Sequence, residues 1–358
     1  MEKKSLEFLK TLINAMSPSG FEGDAAKIWK GYVGKFADNV EGDVHGNSIG
    51  IINPKGKPRV MLAGHIDEIG YMIKYIDKDG FLYFSTIGGI DTHIMPGERI
   101  WIKGKNGTVA GIIGRDPIHQ LTKEAREKVE KIEDLFIDIG VKEKKEAEKL
   151  VSVGDPAVPA VSFEELKGDR IVARAFDDKS GAFVVAETLR LLSKSNLLEA
   201  AVYGVATVQE EVGLRGAKTS AFRVSPDIGI AIDVTFTSDY PALKSESKRV
   251  KFGDIKIGKG PVIARGANIN SKVFDLLVET AQKEKIPYQI EGIPRATGTD
   301  ANVIQLTKEG VATGLVSIPN RYMHTPVELV STEDLTNTSK LLAAFIKRIK
   351  KTTNFIPF

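Results

Sequence analysis

The chain has 358 residues, 42% of them apolar and 27% charged, a balance that suits a globular protein of about two domains and excludes a fibrous or disordered one. Lys plus Arg (50) barely exceeds Asp plus Glu (47) for a net charge of +3, and no basic stripe gathers it, so no nucleic-acid partner is expected. There is no cysteine, which removes disulfide scaffolds, thiolate zinc sites, iron–sulfur clusters and cysteine nucleophiles together.

The first residues interleave charge with apolar side chains, without the apolar core of a secretory leader, and no later run is long enough to cross a bilayer. The expectation is a cytoplasmic protein with no membrane partner. Leu6, Leu9, Leu12, Ile13 and Met16 recur at helical spacing until Ser17-Pro18-Ser19-Gly20 stops them, and Ile28, Trp29, Tyr32, Val33 and Phe36 mark a second helix. Extended runs follow at 48–52 and 59–63. From about residue 69 the pattern becomes short β-like runs between glycine-rich turns, at 71–76, 81–86, 98–102 and 108–113. The charged stretches 123–131, 135–139 and 142–150 have the mixed signs of solvated helix faces, and Asp155-Pro156 with Pro159 suggests a return linker.

After Arg170 strand-like runs (171–175, 200–207, 228–232, 288–291, 311–318) alternate with helical ones (180–192, 271–283, 301–306 and about 334–350). Ser331 and Asp334 have capping-box spacing, and Leu341, Leu342, Phe345, Ile346 and Ile349 form a core-facing stripe. The economical arrangement is an α/β unit, a mixed sheet flanked by helices, made of residues 1–68 and 164–358 and interrupted by a small β-rich insertion at 69–163.

Ligands of open α/β sheets bind beyond the carboxyl ends of the strands. Five apolar runs are each followed by a nitrogen or oxygen metal ligand: His65-Ile66-Asp67, Asp177, Glu210-Glu211, Asp233 and, beyond Pro319-Asn320-Arg321-Tyr322-Met323, His324. Brought together without cations, these carboxylates would repel and raise one another's pKa. Two divalent ions relieve that, since Asp177, Glu211, Asp233 and one hydroxide balance two dications, with His65 and His324 as neutral ligands. One carboxylate must bridge for co-catalytic ions to sit about 3.5–4 Å apart, and Asp177 is the expected one, since Asp178-Lys179-Ser180-Gly181 starts a helix whose amides can steady the turn. Asp67, alternating with His65, can receive its ring N–H or can instead pair with a lysine. Adjacent residues on an extended segment point apart, so one of Glu210 and Glu211 can ligate while the other handles a proton. Glu211 is taken as ligand and Glu210 as general base, although this argument alone allows the reverse.

The ordered set resembles the co-catalytic zinc exopeptidases. Its surroundings, Ala175-Phe176-Asp177-Asp178-Lys179, Gln209-Glu210-Glu211-Val212-Gly213-Leu214-Arg215-Gly216 and Pro319-Asn320-Arg321-Tyr322-Met323-His324-Thr325, resemble the tetrahedral (TET) or glutamyl aminopeptidase-like family over nearly the whole chain. That resemblance implies one metal on His65, Asp177 and Asp233, a second on Asp177, Glu211 and His324, and Glu210 as general acid/base, which settles the order of the pair. It implies two divalent ions per subunit, zinc or cobalt, and a metal-bridged hydroxide that removes N-terminal residues from peptides. It further implies a PDZ-like insertion used in subunit contacts and a homo-oligomer, a hollow tetrahedral dodecamer that dimers could build. Asp178 varies in the family and is not carried over as a ligand. Rival readings are a carboxypeptidase or N-acyl amino-acid deacylase of the same clan, a cellulase, and a non-catalytic assembly protein.

Weaker signals remain. Thr297-Gly298-Thr299-Asp300-Ala301 precedes a helix, and either Thr299 or Asp300 caps it or the loop lines the pocket with Asp300 near a substrate amine. His45-Gly46-Asn47 and Gly88-Gly89 read as turns, and His93 and His119 as exposed loop residues of the insertion and its return.

Overall fold

The computed structural model describes residues 1–195, 198–243 and 245–357. An eight-stranded mixed sheet runs, edge to edge, Asn39–Gly42, Ser48–Ile52, Ala201–Thr207, Arg59–His65, Ile228–Phe236, Ala312–Asn320, Val262–Gly266, Gln289–Ile293. The four middle strands are parallel, and they are the continuous β-branched and small apolar runs that burial on both faces demands. One face is covered by the helices Lys3–Asn14, Gly23–Val33, Phe176–Leu192, Ser271–Lys283 and Thr332–Arg348, whose Leu9, Trp29, Phe183, Leu189, Leu342 and Phe345 form the larger core. The other is covered by Arg215–Val224 and the short helix Ala301–Ile304 over Ile49, Met61, Val205 and Leu315. Among the described residues no helix is long and apolar enough to cross a membrane.

The central contact is a meeting of two glycines. A Cβ on Gly64 would stand 2.5 Å from the Gly181 carbonyl carbon, and one on Gly181 would stand 2.2 Å from an Asp178 carboxylate oxygen. Only glycine lets the end of strand Arg59–His65 and the first turn of helix Phe176–Leu192 approach so closely. That approach sets Asp177 and Asp178 beside His65.

Residues Gly70–Ile76, Leu82–Ile87, Ile137–Asp138, Gly107–Ile113, Arg99–Gly104 and Pro156–Pro159 close into a barrel around Tyr71, Ile73, Phe84, Ile100, Ile113 and Ile137. Two expectations change here. The proposed return linker is the closing strand, with Ala157 paired to Tyr71 on one side and to Ile102 on the other. Its prolines lack donors, but the residues between them supply the ladder. The charged stretch holds the short α-helices Lys123–Glu127 and Lys144–Leu150 and the 3-10 turn Ile132–Asp134, and after that turn Leu135 and Ile137 alternate into the barrel core, with Ile137–Asp138 a strand instead of a helix face.

A third correction concerns strand Arg170–Ala173. It lies outside the large sheet, in a three-stranded sheet between Glu164–Glu165 and Glu328–Ser331. The C-terminal helix begins at Thr332, capped by Ser331 Oγ, which accepts from Glu333 N and Asp334 N. Asp334 does not complete a capping box. Its carboxylate accepts from Gly258 N (2.6 Å) and Gly260 N (2.8 Å), tying down a distant loop.

Candidate metal centre

The cleft opens at the carboxyl ends of the middle strands. His65 ends its strand, and its Nε2 lies 3.2 Å from Asp177 Oδ1. The other oxygen of Asp177 lies 3.1 Å from His324 Nε2. His324 Nε2 is also 3.5 Å from Glu211 Oε1, and His65 Nε2 is 3.9 Å from Glu210 Oε2. Two three-residue groups, His65 with Asp177 and Glu211 and His65 with Asp178 and Asp233, each bring potential ligand atoms within 4.8 Å of one another. All six predicted residues therefore converge, although the routes differ from those expected. Asp233 sits inside strand Ile228–Phe236, not at its end. Asp177 belongs to the irregular first turn of a helix and follows the small sheet. Glu210 and Glu211 diverge from a turn entered through Gln209 at φ 55°, not from an extended run. His324 occupies a turn with φ 60° beyond Asn320.

Asp67, fully buried, is the pin of that glutamate turn. It accepts from Glu210 N (3.1 Å), Glu211 N (3.2 Å) and Ser19 Oγ (2.6 Å). His65 Nδ1 lies 3.2 Å from the Asp67 carbonyl oxygen and 3.5 Å from its carboxylate, so main chain and side chain share the ring N–H; no lysine pairs with Asp67 among the described residues. His324 Nδ1 donates to the Gly89 carbonyl at 2.8 Å, which leaves Nε2 facing the cluster. The Gly88-Gly89 turn thus reaches the site from the barrel, a role that no sequence pattern marks.

Two further carboxylates, Glu328 and Glu68, escaped sequence reasoning, and a third, Asp178, was set aside there. Glu328 accepts from Asp177 N (2.8 Å) and His324 N (2.9 Å), clamping both loops. Its spacing of four from His324 was the only signal. Asp178, buried, accepts from His65 N (3.2 Å) and Gly181 N (2.9 Å), so both its oxygens are engaged by backbone. Glu68 is buried between Arg174 and Lys179, with Lys179 Nζ at 2.7 Å and Ser17 N at 2.9 Å. Removing one member of such a network strands the opposite charge away from water. Glu68→Gln is therefore expected to cost about 3–5 kcal/mol of stability, read from the midpoint of denaturant unfolding.

The remaining signals fall into place. Asp300 makes no capping bond; its Oδ2 accepts from Thr207 Oγ1 at 2.6 Å behind the cleft, while Thr297, Gly298 and Thr299 line it. His45 belongs to a turn built on Asp43, and His93 and His119 are exposed on the turns Thr92–Ile94 and Ile118–Gln120.

The electrostatics are those of a site short of positive charge. Burial first, then neighbouring charges, pushes Glu210 up to about 10 and Glu211 up to about 8. Asp233 rises for the same reasons, burial and then Asp177. Burial opposes a charged His65, but Glu210, Asp177 and Asp67 outweigh it and hold the ring well above its usual range. His324 is raised to about 9, chiefly by Asp177. Protons thus gather where nothing else neutralises the acids. Glu211 Oε1, buried, has no hydrogen-bond partner, an orphaned acceptor that a cation would satisfy. The donor set of imidazole nitrogens and carboxylate oxygens suits divalent zinc, cobalt or manganese.

A mixed α/β sheet carrying such a buried His/Asp/Glu cluster in an open cleft has the architecture of a metallohydrolase. The chain belongs to the M42 glutamyl aminopeptidase family, whose model matches residues 46–341, and it is a peptide hydrolase of aminopeptidase type. It is 38% identical over 348 residues to a lysyl aminopeptidase of Pyrococcus furiosus, covering 96% of this chain and 97% of that one. A TET aminopeptidase from a marine-sediment archaeon of the Thaumarchaeota superposes with a TM-score of 0.91 at 37% identity, over 97% of this chain and 98% of the other. The TET1 peptidase of Pyrococcus horikoshii, which can assemble into a tetrahedron or a large octahedral shell, matches with a TM-score of 0.85 at 32% identity, over 96% and 100%.

Proposed function

We propose that the cluster holds two divalent cations, zinc or cobalt, and that the chain removes the N-terminal residue from peptides. His65, Asp177 and Asp233 hold one ion; Asp177, Glu211 and His324 hold the other. The observation that carries this reading is the station of Asp177, one carboxylate oxygen 3.2 Å from His65 Nε2 and the other 3.1 Å from His324 Nε2, as a carboxylate shared by two ions requires. When bound, the pair supplies Lewis-acid polarisation of the scissile carbonyl and a water of lowered pKa. Glu210 would hold the proton that an attacking water gives up and would return it to the leaving nitrogen as the C–N bond breaks. Asp67 orients His65 and, through the Glu210 and Glu211 amides, fixes the two glutamates. The surplus of carboxylate charge in the cleft favours a free ammonium on the substrate.

In this reading residues 1–68 and 164–358 form the catalytic unit and the PDZ-like insertion 69–163 carries subunit contacts. The assembly is a homo-oligomer, a tetrahedral dodecamer by its likeness to the Pyrococcus horikoshii protein, and it works in the cytoplasm. The test is a peptide offered with a free or an acetylated amino terminus to the metal-loaded protein. Cleavage of the free form is expected to exceed that of the acetylated form by at least about 10²-fold in kcat/KM, since the site is built to hold an amine. Equal rates would point to a deacylase, loss of the C-terminal residue to a carboxypeptidase, and sugar release unaffected by a chelator to a cellulase.

A further inference from the structure

Beside the cluster lies a cavity of about 460 Å³ that takes in His65, Asp177, Glu210, Glu211, Asp233 and His324 at one end. The rest of its lining comes from apolar residues, chiefly Phe236, Ile293, Leu315 and Met323, from Thr235, Thr297, Thr299 and Ser317, and from one acid outside the cluster, Glu291. No Lys or Arg lines it. Glu291 stands on the edge strand Gln289–Ile293, where its Oε2 accepts from Thr235 Oγ1 at 2.9 Å. Among the described residues no Lys or Arg forms an ion pair with it. Apart from that threonine, this carboxylate, part-buried and raised in pKa by burial, has no partner among the described residues that explains its place in a wall whose other polar groups are uncharged hydroxyls.

Register sets the distance. Thr235 follows Asp233 by two residues on one strand, so both side chains leave the same face about 7 Å apart. Glu291, whose Oε2 is bonded to Thr235 Oγ1, is therefore held on the same face of the sheet as the acid assigned to one metal, near the residue two positions beyond it, within roughly 10 Å. An extended lysine side chain spans about 6 Å from Cα to Nζ, five single bonds of about 1.5 Å.

Resting on the aminopeptidase reading, we infer that Glu291 selects a basic N-terminal residue, lysine or arginine, whose stem lies along the apolar wall while its cationic head meets the Glu291 carboxylate. Long basic side chains bury their methylenes on apolar surface and keep the charged tip for a polar partner. An acidic N-terminal side chain would meet Glu291 with no Lys or Arg in the lining to offset it, so a glutamyl preference does not fit this cavity despite the family's description. A neutral leucine fills the apolar wall but leaves the carboxylate unpaired.

The test compares kcat/KM of the metal-loaded protein for the p-nitroanilides of Lys, Arg, Leu and Glu. Lys and Arg are expected to exceed Leu by at least about tenfold, with Glu slowest. Glu291→Gln is expected to lower the Lys:Leu ratio at least about tenfold, and Glu291→Lys to lift Glu above Lys, a gain that misfolding cannot produce. A wild-type Lys:Leu ratio at or below one, or a ratio that Glu291→Gln leaves within about twofold, overturns the inference. Should no substrate be cleaved, the aminopeptidase reading fails, and calorimetry with free L-lysine and L-leucine still decides this one. Tighter lysine binding that Glu291→Gln abolishes upholds it; equal affinities in the wild type overturn it.

Discussion

Glu210→Gln is expected to lower kcat by about 10²–10⁴-fold while the protein keeps its metal. A thousandfold loss corresponds to about 4 kcal/mol of barrier. The residue is 8% exposed and takes no part in the contacts that join Asp177 to the two histidines. Burial, then the charges of Asp233, Asp300 and Glu211, makes it a carboxyl that accepts a proton readily. Glutamine keeps the shape and one acceptor oxygen but cannot hold and return a proton. The two quantities to measure are turnover at saturating substrate and metal per chain by elemental analysis. Normal turnover would remove Glu210 from the chemistry, and loss of metal would make it a ligand instead.

Asp177→Asn is the change with the broadest expected effect. The exchange leaves the Asp177 backbone N–H to Glu328 intact, so the turn keeps its anchor. What it removes is the one negative charge that both histidines face, at 3.2 and 3.1 Å. A carboxylate shared by two ions cannot be replaced by an amide, whose nitrogen donates where a ligand must accept. Metal content is expected to fall from two to below one ion per chain and hydrolysis to background, with the circular dichroism spectrum of the parent retained. Two ions still bound in this variant would overturn the bridge.

The candidate ligands were legible because polar residues interrupt apolar runs at places where an α/β sheet opens. Their depth was not. Asp233 looks like a strand end after Ile228-Gly229-Ile230-Ala231-Ile232, yet Val234 and Thr235 continue the strand, which holds the acid buried in the sheet. Residues 170–173 read as another strand of the same sheet because a short apolar run carries no record of its partner; pairing is decided by tertiary contact. Pro156 and Pro159 read as punctuation, although an isolated proline is compatible with a strand whose other residues make the ladder. Glu328 and Glu68 were invisible for a different reason: each orients backbone or charge donated from segments far away in the chain, and only the folded arrangement brings them together. The glutamate order came from family likeness, since the turn at Gln209 breaks the simple alternation on which a residue-level argument depends.

The link from His324 Nδ1 to the Gly89 carbonyl crosses from the catalytic cleft to the barrel. One imidazole of the cluster is thus aimed by a peptide group that belongs to the barrel segment, just beyond strand Leu82–Ile87. Whatever seats or tilts the barrel, including a neighbouring copy packed against it, bears on the orientation of that ring. The scaffold and the chemistry are in this way mechanically joined through that carbonyl as well as through the chain itself.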